Sequence, residues 1–227
     1  MSADTTPVPG EPARCPAPWT LSGNGWIVLL RLPRGARARS DYVPEALRAT
    51  LRTPVSALVC ADYAVAPCGA YRELLFVPGT ACFADGRRHA TISRILVSTW
   101  ASVVNGRENW GIPKELADVA IERRADSDRV RVHDAAGDLC RIEFDTPRGP
   151  RFPLRTRWVP RSWKTLAQCH EGRTFHYAPE ARAAVRPTRV ITWSFDPLRF
   201  PDLADATVLA SLRVEAFEME FPVARVA

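Results

Sequence analysis

Lysine is the rarer basic residue in this chain, and its scarcity draws attention to Lys114. The sequence contains 31 lysines and arginines, but only Lys114 and Lys164 are lysines, so 31 minus 2 leaves 29 arginines. A lysine amine can lose its proton and form an imine with a carbonyl compound, whereas an arginine does neither in a protein. A few lysines can also remain by chance in an arginine-biased sequence, so the neighbours of Lys114 have to decide between these interpretations.

The segment around Lys114 is punctuated by Gly106, Gly111 and Pro113, which predicts an irregular turn that leads into a short helix. Because proline suits the first helical position, Pro113 would begin that helix and Lys114 would lie in its first turn. The positive end of the helix dipole and nearby apolar side chains such as Trp110 would both favour an uncharged amine. An uncharged amine is a nucleophile.

A second candidate for chemistry is Glu73, in the run Tyr71–Val77. This run has the composition of a strand, and its alternation places Glu73 on the same face as Tyr71, Leu75 and Val77. The carboxylate could act as an acid or a base among these side chains. It could also lie at a sheet edge or pair with an arginine, and the residues alone favour that structural role.

The spacing of Gly106-Arg107-Glu108 and Pro113-Lys114-Glu115-Leu116 resembles the active-site segment of the acetoacetate decarboxylase superfamily. Upstream, Tyr71-Arg72-Glu73 resembles the family's Tyr-x-Glu motif, and Val-Pro-Glu-Ala-Leu at 43–47 resembles its early Val-Pro-x-x-Leu helix. The resemblance extends over residues 19–222, and its specific motifs lie between Tyr71 and Leu116.

This resemblance implies roles for five residues. Lys114 would be the Schiff-base lysine and Glu73 the acid, while Tyr71, Trp110 and Arg107 would contact the substrate. The activated lysine of acetoacetate decarboxylase is an established example of amine catalysis, so this mechanism comes with the family. No cofactor is expected, because the iminium itself serves as the electron sink.

Two departures from the family pattern bear on the reaction. The family has a second lysine beside the nucleophile, where this chain has Glu115, so activation by a neighbouring like charge is absent. The decarboxylases also carry an arginine that receives the substrate carboxylate, shortly before a second arginine. Aligning that second arginine with Arg31 puts Gly23 at the receiving position. The usual mode of binding a β-keto carboxylate is therefore in doubt, unless Arg72 or another arginine replaces the receiver.

Composition predicts one globular domain with an unstructured start. The chain has 227 residues, 46% hydrophobic and 25% charged, with no visible internal linker, so a single domain over residues 19–227 is expected. Residues 1–18 are rich in proline and poor in apolar side chains, which predicts a mobile, disordered arm. No signal peptide and no apolar run of the ~20 residues that a membrane span requires are present, so we expect a cytoplasmic protein without a membrane partner.

The pattern of charges, cysteines and histidines argues against nucleic-acid binding, a disulfide framework and a zinc site. The net charge of +6 comes from arginines spread among acids without a basic run, so no nucleic-acid partner is expected. The six cysteines lack paired spacing, which is typical of free thiols in a reducing compartment. Among the four histidines, the one local cluster is Cys169-His170 with His176, and it lacks zinc-site spacing, so no metal is predicted.

Short apolar or alternating runs predict a mainly β protein with few helices, built from antiparallel sheet that is closed or sandwiched to hide its edges. A short amphipathic helix is expected at Tyr42–Leu51, a helical turn at Ala101–Asn105, and a turn or short helix near Asp196–Ala204. The family resemblance implies a cone-like β-barrel around the lysine, with flanking sheet, and assembly into homo-oligomers. The predicted strands are Trp26–Arg31, Val55–Ala64, Tyr71–Val77, Ile92–Thr99, Val119–Arg123, Arg129–His133, Leu139–Phe144, Phe152–Val159, Arg189–Phe195 and Val208–Phe221.

These observations lead to two functional hypotheses. The first is a Schiff-base-forming lyase that acts on a small keto acid or other carbonyl compound through Lys114, by decarboxylation or by related aldol or dehydration chemistry. The alternative is a non-catalytic β-barrel protein that binds a small ligand and has kept the fold, as Gly23 and Glu115 would allow. Nucleic-acid binding is supported only by the pI of about 9.3.

Overall fold

The computed structural model describes residues 12–147 and 149–227, and this part of the chain is mainly β, as predicted. Three short helices are present, none of them long and apolar enough to cross a membrane: α1 (Glu45–Arg48), α2 (Trp100–Trp110) and α3 (Arg161–Lys164). Two 3-10 turns occur at Arg37–Arg39 and Thr156–Trp158. The strands are β1 (Trp19–Arg31), β2 (Ser56–Val65), β3 (Tyr71–Val77), β4 (Gly79–Cys82), β5 (Arg88–Thr91), β6 (Arg94–Val97), β7 (Lys114–Leu116), β8 (Asp118–Arg123), β9 (Ser127–Asp134), β10 (Gly137–Asp145), β11 (Phe152–Arg155), β12 (Leu166–His170), β13 (Arg173–Tyr177), β14 (Glu180–Pro187), β15 (Val190–Phe195), β16 (Thr207–Phe221) and β17 (Arg225–Val226).

The strands form three sheets. The largest has the order β11-β14-β16-β1-β2-β3-β6-β7, the second β15-β10-β9-β8, and the third β17-β13-β12-β5-β4. Most neighbours are antiparallel, but β6 pairs with β7 and β5 with β12 in parallel. The expected closed barrel is not found in the described residues, because β11 and β7 end the large sheet without pairing to each other. Both edge strands are short, with four and three residues, and short edges limit unwanted pairing between chains.

One face of the large sheet packs against the four-stranded sheet. Alternate residues of β1, β2 and β3, such as Trp26, Leu58 and Leu74, meet Val132 and Phe144 of the opposing sheet in a fully buried core. The rings of Trp26 and Phe144 stack with their centroids 5.5 Å apart. This half of the molecule is a β-sandwich, stabilised by apolar burial.

The opposite face of the large sheet is covered by α2 and by the five-stranded sheet. Its core contains Tyr71 from β3, Val103 and Trp110 from α2, and Tyr177 from β13. Within β3, Tyr71 and Leu75 pack in this second core while Leu74 packs in the first. The predicted alternation of β3 is therefore confirmed, and it sends Glu73 into the second core.

Several predicted segments are shorter than expected. The helix predicted at Tyr42–Leu51 is reduced to α1, because Tyr42 has a φ of 62° that a helix cannot accommodate. The strand predicted to reach Val159 ends at Arg155 and continues as a 3-10 turn. Within the described residues no helix follows Asp196, where the chain forms turns.

The predicted mobile arm differs from the structure where it is described. Residues 1–11 lie outside the described part, but residues 12–18 run along α2. The backbone N–H of Cys15 donates to Oδ1 of Asn105 at 2.6 Å, and Nδ2 of Asn109 donates to the Cys15 carbonyl at 2.8 Å. These side-chain amides satisfy backbone groups that would otherwise need water. The single domain over residues 19–227 stays a prediction.

Candidate active site

Lys114 lies at the start of a strand, and the prediction that Pro113 begins a helix is wrong. The helix comes earlier: Thr99 caps α2 by accepting a hydrogen bond from the Ser102 N–H at 3.3 Å. Gly111 ends α2 with a φ of 63°, a left-handed conformation that favours glycine. The chain then passes through Pro113 and enters β7, which pairs with β6. The helix-dipole argument for Lys114 therefore does not apply.

The side chain of Lys114 turns back toward α2 and is 4% exposed. Its Nζ donates to Oγ of Ser102 at 2.9 Å and contacts the Tyr71 hydroxyl at 3.3 Å and Oε2 of Glu73 at 3.4 Å. It also lies 4.8 Å from the centre of the Tyr71 ring. A buried amine thus faces two hydroxyls and one carboxylate.

Gly106 makes room for this lysine. A Cβ at position 106 would lie 2.6 Å from Cδ and 2.8 Å from Cε of Lys114, which is well inside van der Waals contact. Glycine in the middle of a helix weakens that helix by about 1 kcal/mol relative to alanine. Its presence in α2 is therefore explained by the passage of the Lys114 side chain.

Glu73 is held from both sides. Its Oε1 accepts a hydrogen bond from the Tyr63 hydroxyl at 2.7 Å, while Oε2 faces Lys114, and the residue is 4% exposed. Burial, together with the negative charge of Glu73, raises the pKa of both Tyr63 and Tyr71 well above the ordinary value. Both phenols therefore stay protonated at neutral pH. No arginine contacts Glu73 among the hydrogen bonds and ion pairs of the described residues, so the expected structural partner is replaced by Lys114.

Arg107 reaches the backbone of Lys114. Its Nε and Nη2 donate to the Lys114 carbonyl oxygen at 2.9 and 2.6 Å. This forked contact ties the last turns of α2 to the first residue of β7. The substrate contact that the family resemblance implies for Arg107 stays a prediction, and the observed geometry fits a positioning residue.

The amine opens onto a small, almost entirely apolar cavity. Its volume is about 20 Å³, which is room for a single water molecule. Trp110 and Tyr71, two of the predicted substrate contacts, both lie in its wall. The other lining residues are Trp19, Leu21, Tyr63, Glu73, Leu75, Ile92, Ile95, Ile112, Lys114 and Phe221.

Glu115 and Arg72, two charged residues considered in the sequence analysis, do not face the Lys114 amine. Successive strand residues point to opposite faces, so Glu115 leaves the cavity and pairs with Arg94. Arg72 likewise lies on the opposite face of β3 from Glu73, where its Nε donates to Oδ1 of Asp62 at 3.1 Å. Arg72 therefore does not replace the missing carboxylate receiver in this structure.

Gly23 occupies a crowded place in the large sheet. It lies at a register shift of β1, where a Cβ would come 2.0 Å from the backbone oxygen of Asp62. The position therefore cannot accept a side chain without movement of β2. No arginine lines the cavity in the described part of the chain, so Lys114 is the single basic side chain among its lining residues that a substrate carboxylate would meet.

Ser102 and Tyr63 are site residues that sequence reasoning missed. Ser102 lies four residues before Gly106, so the two share the α2 face that Lys114 contacts, and the helix had to be located first. Tyr63 pairs directly with Tyr71 across the β2–β3 hairpin. Correct hairpin register would have placed Tyr63 next to the predicted site.

The fold and the site together define a class: a layered β protein in which one buried lysine and one carboxylate share an apolar cavity. A model of the acetoacetate decarboxylase family matches residues 5–199. The chain belongs to the acetoacetate decarboxylase family. A comparison with functionally curated proteins finds no match.

Solved structures with this fold include three informative neighbours. Acetoacetate decarboxylase from Legionella pneumophila is 14% identical with a TM-score of 0.68, over 100% of this chain and 98% of that one. An acetoacetate decarboxylase-like enzyme from Sphingomonas wittichii RW1 is 12% identical with a TM-score of 0.71, over 100% and 99%. The enduracididine biosynthesis enzyme MppR, complexed with pyruvate, is 16% identical with a TM-score of 0.62, over 93% and 91%. At these identities the likeness shows the shared fold.

Proposed function

We propose that this protein is an imine-forming enzyme that acts through Lys114 on a small carbonyl compound without a carboxylate. The observation that carries the proposal is the contact of a 4% exposed lysine amine with the buried carboxylate of Glu73 at 3.4 Å. A proton passed from the amine to the carboxylate across this contact would leave a neutral amine beside a protonated acid. Such a pair provides a nucleophile and a proton donor at the same place.

The proposed reaction begins with addition of the Lys114 amine to the carbonyl carbon, which gives a carbinolamine. Glu73, whose Oε2 is 3.4 Å from Nζ, would protonate the departing hydroxyl, so that water leaves and a cationic iminium remains. Ser102, 2.9 Å from Nζ, would hold the nitrogen in position during addition. The iminium then withdraws electrons from the neighbouring carbon, which allows a C–H or C–C bond there to break and leave an enamine.

A carbonyl compound is larger than the single water molecule that this cavity of about 20 Å³ can hold, so its binding requires the wall to move apart. The composition of that wall supports an uncharged substrate. Its side chains are apolar except for Tyr63, Tyr71, Glu73 and Lys114, and burial of an unpaired carboxylate among them would be costly. Efficient decarboxylation of acetoacetate is therefore not expected. A kcat/KM for carbon dioxide release of about 10⁴ M⁻¹s⁻¹ or more, an ordinary enzymatic value, would contradict this substrate preference.

Imine formation can be tested directly with 2,4-pentanedione, a small uncharged β-diketone whose adduct with an amine absorbs in the ultraviolet. The wild-type protein should form one adduct per chain at pH 7, the Lys114→Arg variant should form none, and the matched control Lys164→Arg should react like the wild type. A wild-type protein that does not react at pH 7 would leave the ligand-binding hypothesis as the better account.

The family resemblance also leads us to propose a homo-oligomer, which light scattering of the purified protein would measure.

A further inference from the structure

A second cluster of reactive side chains lies in the five-stranded sheet, away from Lys114. Asp85 belongs to the turn between β4 and β5, His89 to β5 and His176 to β13. Nε2 of His89 lies 2.8 Å from Oδ2 of Asp85, and Nε2 of His176 lies 3.5 Å from the same oxygen. One possible ligand atom from each residue falls within 4.8 Å of the other two. None of these residues lines the cavity of Lys114.

The two imidazoles are buried and incompletely hydrogen-bonded, although Nε2 of His89 forms a hydrogen bond with Oδ2 of Asp85. His89 and His176 are each 6% exposed. Among the described residues, neither ring nitrogen of His176 has a hydrogen-bond partner, and Nδ1 of His89 also has none. A buried polar atom without a partner requires an explanation. Here both rings lie beside a carboxylate that is one-fifth exposed.

The spacing of these three atoms fits a metal ion. Zinc binds imidazole nitrogen and carboxylate oxygen at about 2.0–2.2 Å in a tetrahedral arrangement, which separates its ligand atoms by roughly 3.4 Å. The distance of 3.5 Å from Asp85 to His176 lies near this value, and the hydrogen bond of 2.8 Å from Asp85 to His89 would lengthen when a metal ion enters. Two histidines and one carboxylate are also a ligand set that divalent transition metals prefer.

We propose that Asp85, His89 and His176 bind a divalent zinc-class ion, with its remaining coordination position open to solvent. The cluster lies in the wall of a pocket of about 710 Å³. The same wall contains Arg87, Arg88, Arg161 and Arg225, which would favour an anion or a water molecule as the fourth ligand.

The arginines are the main electrostatic obstacle to a cation. One of them, Arg225, forms an ion pair with the cluster: its Nη2 lies 3.9 Å from Oδ2 of Asp85. Its side chain is 72% exposed, so it can turn into solvent when a metal takes the carboxylate. Solvent also screens the charges of exposed guanidinium groups.

Sequence reasoning missed this site because its residues are far apart in the chain. Cys169 and His170 lie near His176 in sequence, and together they lack zinc-site spacing. The parallel pairing of β5 with β12 and the antiparallel pairing of β12 with β13 together place His89 beside His176. Their ring centroids are 5.0 Å apart.

Metal binding can be measured on the whole purified protein after treatment with a chelator. Zn²⁺ binding by calorimetry should give one site per chain, and Co²⁺ should give the visible absorption of a four-coordinate ion with nitrogen and oxygen ligands. His89→Ala and His176→Ala should each weaken binding by more than the 10- to 100-fold that loss of an outer partner causes. His133→Ala is the matched control, because His133 is a partly exposed histidine that pairs with Asp118, outside the cluster.

Three results would overturn the proposal. The first is a chelated wild-type protein that does not bind Zn²⁺. The second is equal affinity in the wild type and in both His89→Ala and His176→Ala. The third is a Co²⁺ spectrum with thiolate charge transfer, which would assign the ion to the free cysteines. Circular dichroism checks that each variant folds, and if an alanine variant does not fold, His89→Gln and His176→Gln take its place in the comparison.

Discussion

The Lys114 amine and the Glu73 carboxylate lie 3.4 Å apart in largely apolar surroundings. A proton shared between these two groups leaves either an ion pair or a neutral pair, and the neutral pair is the form that can attack a carbonyl. Glu73 can then give this proton to the hydroxyl group that leaves as water.

Replacement of Glu73 by glutamine should separate attack by the amine from transfer of the proton. The amide can still accept a hydrogen bond from Tyr63, so the fold should be retained, but it cannot supply a proton. Turnover should fall by about 10²- to 10⁴-fold, the usual contribution of a general acid or base, while the adduct with 2,4-pentanedione still forms. Loss of soluble protein, seen together with a large drop in Tm, would instead show that Glu73 is chiefly a structural partner.

The motif residues were predictable at this scale, but their neighbours were not. Lys114 and Glu73 stand out by rarity, alternation and family resemblance, and the structure places them in contact. Ser102 and Tyr63 carry no signal of their own, because an ordinary serine and tyrosine become site residues only through helix phase and hairpin register.

At the scale of elements, α2 and β7 together position the Lys114 side chain. Gly106 lets the lysine side chain lie against the helix, and Arg107 binds the Lys114 carbonyl from the next position. The sequence predicted a break at Gly106 because glycine usually ends or interrupts a helix. Here the glycine is needed for close approach of a side chain, a tertiary requirement that local rules do not contain.

Gly106→Ala tests this close approach. The added methyl group must displace Cδ and Cε of Lys114, so adduct formation should become at least about 10-fold slower, which corresponds to roughly 1.4 kcal/mol. Helix propensity alone would favour alanine, so a large loss of Tm is not expected. Glu108→Ala, on the exposed face of the same helix, is the control and should react normally. Wild-type reactivity in Gly106→Ala would show that the Lys114 side chain can accommodate the added methyl group without losing its reactive position.

Arg107→Gln distinguishes positioning from substrate binding. If Arg107 positions Lys114 through its carbonyl, the variant should lose reactivity by the same factor toward a neutral diketone and toward a keto acid. If Arg107 binds a substrate carboxylate, the loss should appear mainly as a higher KM for the keto acid. Parallel measurements of kcat and KM with both compounds decide between the two roles.

For the whole molecule, the large sheet separates two cores and places the site in the second. The mainly β class and the two faces of β3 were predictable from alternation, because burial imposes a period of two on a strand. The open arrangement of the sheets was not, because it depends on which distant strands pair. The path of residues 12–18 along α2 was also missed, since proline-rich composition does not reveal side-chain amides that bind the backbone.

Alkaline pH should destabilise the fold. Burial raises the pKa of Tyr63, Tyr71 and Tyr177 above the ordinary value of 10.0, so these phenols keep their protons in the folded state while the unfolded chain ionises. Their contribution to stability is present below pH 10 and is lost as the pH rises from there toward the raised pKa values. Tm should therefore fall between pH 9.5 and 11, a range that ends about one pH unit above the ordinary pKa of tyrosine.

Tyr177→Phe provides the control for this pH dependence. The Tyr177 hydroxyl is buried without a hydrogen-bond partner among the described residues, so its removal should leave the fold intact and make the alkaline decrease in Tm smaller. A Tm that is constant from pH 8 to 11, or an equal decrease in the wild type and the variant, would contradict this account.

The most direct test of the central claim is reductive trapping of the imine. An imine with a side chain can form only at a lysine, so borohydride treatment with a small β-keto compound has two side-chain destinations and the amino terminus. Lys164 donates to Oε1 of Glu180 at 2.6 Å, so its amine is already engaged by a carboxylate away from the cavity. Peptide mass mapping should place the adduct on Lys114, and Lys114→Arg should abolish it. Label that is divided between Lys164 and the amino terminus, or that survives Lys114→Arg, would contradict a nucleophilic role for Lys114.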